Sequence, residues 1–257
     1  MNEHERRELE PPAAPLRRGA SGPKVNQTQE WLCLHGHHTA IDGDFGPATE
    51  AALRAWQRQN YADSREPLPL GTVDLTTWHA LTEPMRRVVE WERGADFANP
   101  VVDCAHAHLA ANPREVGGPN HGPWVRLYMD GNEGPEFPWC AGFATYVLMQ
   151  ALVERGAQWR TFSCDRLAEM AQERALWLYG FGIVAGTEPR RPRPGDLFLL
   201  RRASTDWNHT GIVTRVGPDH FETIEGNTNV DGSREGNAVH ERVRAFNRVD
   251  FVLMGET

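Results

Sequence analysis

Apolar positions in the first third of the chain recur at helical spacing. After Gly22-Pro23, Val25, Thr28 and Leu32 fall at i, i+3 and i+7, which predicts a helix that ends by Gly36. A second helix, from Ala48 to Asn60, turns Ala52, Leu53 and Trp56 inward. A third, short one follows Gly71-Thr72-Val73-Asp74, with Asp74 as its cap and Trp78 and Leu81 as its apolar face. The loop Ile41-Asp42-Gly43-Asp44-Phe45-Gly46-Pro47 joins the first two; Gly43 and Gly46 relax a tight turn and Asp44 is expected to cap backbone.

Further on, Asn99-Pro100 opens a helix from Val101 to Ala111, with Val102, Ala105 and Leu109 on one side and Cys104 in the core. A Gly/Pro-rich stretch, Glu115 to Trp124, leads to a short helix around Val125 to Met129 and then to the acidic segment Asp130 to Glu136. Pro138-Trp139-Cys140 opens an apolar helix running to Leu152, and Ser163 caps another from Cys164 to about Leu178. After the basic turn Arg190 to Pro194 the period changes from 3.6 to 2. Short apolar or alternating runs at Asp196–Leu200, His209–Val216, Phe221–Glu225, Val239–Phe246 and Val249–Met254 predict about five strands, with hairpin-like loops at Gly217–Asp219 and Asp231–Ser233. Helices first and consecutive strands afterwards make the class α+β, a small three-helix domain followed by a domain with an antiparallel sheet.

The resulting organisation is a charged, then Pro/Ala-rich, disordered lead-in over 1–15, a helical domain over 16–83, a linker over 84–97 and an α+β domain over 98–257. The length of 257 residues accommodates two domains. Net charge is −8, with 8 Lys/Arg against 12 Asp/Glu through Glu83 and 19 against 23 beyond it, so neither part carries the basic footprint of a nucleic-acid binder. No apolar run reaches membrane-span length, and the polar start Met1 to Arg7 is not followed by a signal-peptide core. A cytosolic species is therefore expected, which needs some other means of release if it acts outside the cell. Four scattered cysteines without a C-x-x-C pair argue against a disulfide framework.

The chemistry centres on Cys140. A cysteine in the first turn of a helix sits where unpaired N–H groups and the helix dipole favour the thiolate. A cysteine hydrolase also needs a histidine to carry the proton and a polar group to hold the imidazole. His209 starts a strand, Glu225 ends the next, and Asn227 lies two residues further, on the same face if the strand continues. Cys164 also begins a helix but lacks the Pro-aromatic lead, which ranks it second as a nucleophile. Cys33, His35, His37 and His38 are zinc-type residues without a matched second pair, and an exposed polar loop is the expected reading there.

Two resemblances carry these residues further. Leu16-Arg17-Arg18-Gly19, Val25, Asp42-Gly43-Asp44-Phe45-Gly46-Pro47-Ala48-Thr49, Ala52, Trp56-Gln57, Val73-Asp74 and Thr77-Trp78 resemble the three-helix type of peptidoglycan-binding domain, over about residues 16–83. Pro138-Trp139-Cys140-Ala141-Gly142-Phe143, Arg193-Pro194-Gly195-Asp196-Leu197, His209-Thr210-Gly211-Ile212-Val213 and Ile224-Glu225-Gly226-Asn227 are similar, in that order, to CHAP domains, the cysteine, histidine-dependent amidohydrolases/peptidases related to NlpC-type and papain-like enzymes. The upstream Glu115-Val116-Gly117-Gly118, Asn120 and Gly122-Pro123 look like the branch found in phage endolysins.

The resemblance implies a peptidoglycan hydrolase of endolysin type, a monomer without cofactor, with bacterial peptidoglycan as its partner. It would be made in the host cytoplasm and reach the wall after release by a holin or lysis, or alternatively as a secreted effector by another route. Cys140 would be the nucleophile, His209 base and then acid, Glu225 the orienting group and Asn227 a second polar partner. The Cys140 N–H would form part of the oxyanion hole, with the second donor unassigned. Trp139 and Trp124 are candidates for the walls of the substrate groove, although packing is the expected role of each. Some CHAP domains bind calcium ahead of the cysteine, and Asp130, Asn132, Glu133 and Glu136 are of the right types, although a simple turn fits their spacing better. The reaction would be that of an N-acetylmuramoyl-L-alanine amidase, or alternatively of a stem-peptide or cross-bridge endopeptidase. A catalytically inactive wall-binding protein and a deamidase acting off the wall are the rival classes.

Overall fold

The helical spacing after Gly22-Pro23 closes as expected, in a computed structural model that describes residues 1–61, 69–92, 99–229 and 236–254. The chain separates into two units, Met1–Glu90 with Arg114–Gly134, and Trp91–Pro113 with Pro135–Thr257.

The first unit begins with α1 (Glu3–Leu9), where a disordered lead-in is expected from composition. Asn2 and Glu5 form a reciprocal capping box: the Asn2 side chain accepts from the Glu5 N–H at 2.9 Å, and the Glu5 carboxylate accepts from the Asn2 N–H at 2.6 Å. Leu9 is buried and its carbonyl accepts from Trp78 Nε1 at 2.9 Å. Then come α2 (Pro23–Leu34), α3 (Pro47–Asn60), α4 (Leu75–Leu81) and α5 (Glu83–Val89). Val25, Leu32, Leu53, Trp56, Val73, Trp78 and Leu81 are all buried, as their periodicity requires. Asp74 caps α4 through the Thr77 N–H at 2.8 Å. In the Asp42–Pro47 loop the capping carboxylate is Asp42 rather than Asp44: it accepts from the Asp44 N–H at 2.9 Å and from Gln29 Nε2 at 2.8 Å. Gln29, fully buried, also accepts from the N–H groups of Asp42 and Gly43 at 3.0 and 2.8 Å and so shapes the turn from the side of α2.

The chain leaves this unit for α6 (Pro100–Ala110), capped by Asn99, and returns as α7 (Pro123–Tyr128). Trp124 completes the apolar core, edge-on to Trp31 at 6.1 Å and stacked on Tyr128 at 6.2 Å. Arg126 is the polar counterpart: its guanidinium reaches Glu8 at 2.8 Å, Glu30 at 2.7 Å and Glu133 at 2.8 Å, with Glu8 and Glu30 almost wholly enclosed. This is why the first residues fold. Their partner lies more than a hundred positions away, where local composition cannot register it.

The second unit is built on α8 (Cys140–Leu152), buried at every residue from Cys140 to Leu148 and packed on α6 and on the sheet. A helix apolar on all sides belongs inside a domain. After α9 (Glu154–Ala157), α10 (Cys164–Glu173) stops short of the expected Leu178: Ala175 adopts φ +57°, and Trp177–Tyr179 forms β1. Aromatic content there favours a strand once β6 offers an edge. Then follow α11 (Gly180–Val184), β2 (Leu197–Ala203), β3 (Asp206–Val216), β4 (His220–Thr228), β5 (Ala238–Ala245) and β6 (Val249–Val252). Among the described residues the sheet has six strands in the order β1-β6-β2-β3-β4-β5, all paired antiparallel, where about five strands are predicted. The turn at Gly217–Asp219 closes as a hairpin, the Gly217 N–H donating to the His220 carbonyl at 2.8 Å. The hairpin expected at Asp231–Ser233 lies outside the described residues, as do residues 93–97 of the expected linker.

Removing Arg126 leaves three neighbouring carboxylates without their common cation. Arg126→Ala is expected to destabilise the protein by about 3–5 kcal/mol, the usual cost of breaking a buried pair, read as a lower urea midpoint. Arg126→Lys should recover only part of the loss, because an ammonium cannot present a planar fork to three acceptors. An unchanged midpoint for Arg126→Ala would show the cluster to be dispensable.

Candidate active site

Cys140 is the first residue of α8, preceded by Trp139 as an N-cap that offers no side-chain bond to the helix. The opening N–H groups of α8 therefore keep their donor capacity and their partial positive charge at the sulfur. Cys140 is 5% exposed. Its Sγ lies 3.8 Å from the Sγ of Cys164, the first residue of α10, and both thiols are free. The neighbouring Cys164 thiol holds the Cys140 thiol well below the ordinary cysteine value, against the effect of burial, with further help from His209 and the Thr210 N–H. The Cys164 thiol is pushed the other way, by its contact with Cys140 and by burial, and keeps its proton.

His209 is on β3 and Glu225 on β4, 1% and 0% exposed. His209 Nε2 meets Glu225 Oε2 at 2.8 Å. An ionised carboxylate only accepts, so Nε2 carries a hydrogen and Nδ1 is the nitrogen left for exchange. Nδ1 has no hydrogen-bond partner among the described residues. Burial alone would lower the pKa of His209; its interactions with Cys140 and Glu225 outweigh burial and raise it to about 9. Both shifts act in the direction of a thiolate beside an imidazolium.

Glu225 is in turn held by groups that the sequence does not advertise. Thr223 Oγ1 donates to Oε1 at 2.6 Å, and Arg244, on β5, donates to both carboxylate oxygens at 2.5 Å. Against burial, Arg244 and His209 hold the Glu225 pKa down to about 2. Arg244 lies over the ring of Phe198 at 4.9 Å, and Phe198 also borders His209 at 6.0 Å. Two glycines make room for this packing. A Cβ at Gly211 would come within 2.8 Å of Glu225 Cγ, and one at Gly226 within 2.6 Å of Phe143 Cβ.

Cys140, His209 and Glu225 thus come together as expected, whereas the other predicted site residues take different places. Asn227, at φ +53°, makes no hydrogen bond to His209. With its amide oriented to satisfy both ends, it accepts from the Trp139 N–H at 3.3 Å and donates to the Gly236 carbonyl at 2.5 Å. It therefore anchors the start of α8 instead of the imidazole. The strand does not continue flat beyond Glu225: pairing with β5 shifts register between Glu225 and Thr228. Trp139 and Trp124 are 0% and 1% exposed and offer no surface to a substrate; Trp139 packs beside Gly226, and Trp124 belongs to the core of the first unit.

The metal-type clusters are occupied by protein. Glu133 accepts from the Gly122 N–H at 2.8 Å and from Arg126, and Asn132 donates to the Met129 carbonyl at 2.8 Å. His35 binds the Leu81 carbonyl at 2.8 Å, and His37 binds Gln59 at 3.1 Å. Among the described residues no three His, Cys, Asp or Glu side chains converge as metal ligands.

The geometry supplies a polarised sulfur nucleophile at a helix start, a proton on a buried imidazole and a fixed carboxylate behind it, which is the equipment for acyl transfer. No curated protein and no solved structure matches the chain. Two family models match, the Putative peptidoglycan binding domain over residues 21–61 and the CHAP domain over residues 131–227, the latter spanning Cys140, His209 and Glu225. The chain therefore has a modular arrangement, an N-terminal peptidoglycan-binding domain followed by a C-terminal CHAP domain.

Proposed function

We propose that the protein hydrolyses bacterial peptidoglycan at an amide bond, with Cys140 as nucleophile, and that the bond is the one between N-acetylmuramic acid and L-alanine. The observation that carries this reading is the enclosed chain Cys140–His209–Glu225 at the start of α8, inside the CHAP match and in one polypeptide with a peptidoglycan-binding match. A wall-binding domain on the same chain raises the local concentration of substrate without adding contacts at the reacting atoms.

In this mechanism the Cys140 thiolate attacks the amide carbonyl. The oxyanion forms beside the Cys140 N–H at the head of α8, where the helix dipole favours negative charge. His209 Nδ1–H gives its proton to the leaving amine, and an acyl-enzyme remains. Water then attacks the thioester while Nδ1 takes its proton, and the thiolate departs. Throughout, Glu225 keeps Nε2–H in place, so the imidazole neither rotates nor changes tautomer. Arg244 acts one step back, as a positioning residue that keeps Glu225 ionised.

Cys140→Ala is expected to abolish clearing of purified sacculi, by a factor on the order of 10³ or more, while the full-length variant still sediments with sacculi. Clearing that survives Cys140→Ala would sink the assignment. Mass spectrometry of the digest should find free lactyl ends and intact stem peptides; cut stem peptides or cross-bridges would make the enzyme an endopeptidase using the same steps.

The pH profile follows from the two shifted groups. His209 stays protonated up to about 9, and the depressed Cys140 thiol ionises well below its ordinary value. The rate should therefore hold through neutrality and fall as pH rises through about 9, when the proton needed by the leaving amine is lost. Glu225→Gln removes the negative charge that stabilises the imidazolium, so its alkaline limb should move to lower pH along with a lower kcat. Arg244→Met should raise the Glu225 pKa from about 2 and lift the acidic limb. Identical profiles for wild type and both variants would refute the electrostatic roles given to Glu225 and Arg244.

A further inference from the structure

Cys164 neither attacks substrate nor carries a proton in the hydrolysis just described, where its contact only lowers the Cys140 pKa, yet of the four thiols it is the one placed against Cys140. The two sulfurs are 3.8 Å apart, each on the first residue of its own helix, and 5% and 8% of the two residues is exposed. A structural cysteine buries its sulfur away from other thiols, as Cys104 does inside α6, where its thiol donates to Gln150 Oε1 at 3.6 Å. Cys164 instead faces a sulfur poised as a thiolate. A disulfide needs the sulfurs at about 2.05 Å, so less than 2 Å of approach separates the observed pair from a covalent one. Because both sulfurs sit at the ends of single Cβ arms, side-chain rotation is the natural route to it.

We propose that Cys164 is a resolving cysteine, and that oxidants of the peroxide class convert the Cys140–Cys164 pair into a disulfide that reversibly locks the nucleophile. In the first step the Cys140 thiolate attacks one peroxide oxygen, the O–O bond breaks, and Cys140 sulfenic acid forms with release of hydroxide, which takes up a proton as water. In the second, the Cys164 sulfur attacks the sulfenic sulfur as its proton is passed on. The S–O bond breaks, a second water leaves, and the S–S bond forms. Two electrons from the two thiols thus reduce one peroxide to two waters. A dithiol reverses the lock and is itself oxidised to a disulfide. Without a neighbour to resolve it, the sulfenic acid would proceed to sulfinic acid, which a dithiol does not reduce.

The loss of activity in this proposal rests on Cys140 being the nucleophile; the formation of the disulfide does not, and the two are read separately. Full-length protein is treated with hydrogen peroxide, quenched, digested without reduction and analysed by mass spectrometry, while a parallel sample is assayed on sacculi before and after dithiothreitol. Wild type is expected to yield a Cys140–Cys164 linked peptide, to lose activity relative to its own untreated sample, and to recover it with dithiothreitol. Cys164→Ser is expected to lose activity under peroxide without recovery, its Cys140 peptide carrying two or more added oxygens. Absence of the linked peptide from inactivated wild type, a linkage through Cys33 or Cys104 instead, or full recovery of Cys164→Ser would each overturn the proposal. A linked peptide with undiminished hydrolysis would overturn the lock and would count against Cys140 as nucleophile. An untreated enzyme that clears no sacculi would count against the hydrolase reading, while the peptide map would still decide whether the two thiols join.

Discussion

A carboxylate with no contact to solvent is the constraint on which the second unit is built. Glu225 stands inside the domain as an ion, and an unpaired ion there costs several kcal/mol. Three strands share the task of balancing it: β5 supplies Arg244, β4 supplies Thr223 and β3 supplies His209. The pairing of β4 with β5, Glu225 against His240 and Thr223 against Arg242, brings these groups to one point. A slip by one residue would turn Arg244 to the other face and strand the carboxylate. The order of charges is then Arg244 positive, Glu225 negative, His209 positive, Cys140 negative. Each group favours the charge on the next, and at the far end Cys140 is held low by Cys164 first and by His209 after it, so the sulfur answers to more than one helix terminus.

The first unit solves a related problem with the signs exchanged. One guanidinium, Arg126, gathers Glu8, Glu30 and Glu133, and the excess of acid shows in Glu30, whose pKa is raised by burial despite its contact with Arg126. Here the ion cluster serves architecture. It fastens α1 and α2 to α7 around Trp31 and Trp124, an aromatic pair whose edge-on contact contributes packing that neither ring would find alone.

What could be read from the chain beforehand divides along the range of the interactions. Helices α2, α3 and α4 were legible because Val25, Leu32, Leu53, Trp56, Trp78 and Leu81 follow a local period and their caps lie within a few residues. Cys140, His209 and Glu225 were legible because the chemistry demands those residue types at a helix start and on adjacent strands. Arg244 was not, since a basic residue in the alternating run Ala238–Ala245 reads as a solvent-facing position until the Glu225 carboxylate is known to lie beneath it. Cys164 could be seen at a helix start, but nothing in the sequence says that two helix starts converge. Asn227 departs from the expected face because its backbone turns to positive φ, which a strand pattern does not foretell. The partner of Trp124 and the order of α1 are not legible for a shared reason: both depend on a return of the chain that no periodicity announces.

That return has a consequence for how the protein is made. The first unit consists of Met1–Glu90 and Arg114–Gly134, so a ribosome delivers its first five helices, then α6 of the other unit, and only later the helix that carries Trp124 and Arg126. Until then Glu8 and Glu30 lack Arg126, and Trp31 lacks its edge-on contact with Trp124. Vectorial folding of a wall-binding domain ahead of its enzyme is thus not open to this chain. The N-terminal unit has to wait in a partly formed state while α6 emerges, a state in which apolar surface is on offer and chaperones have something to hold. For the same reason a genetic cut between the two family matches, which looks natural on a linear map, would divide a folded body instead of a linker.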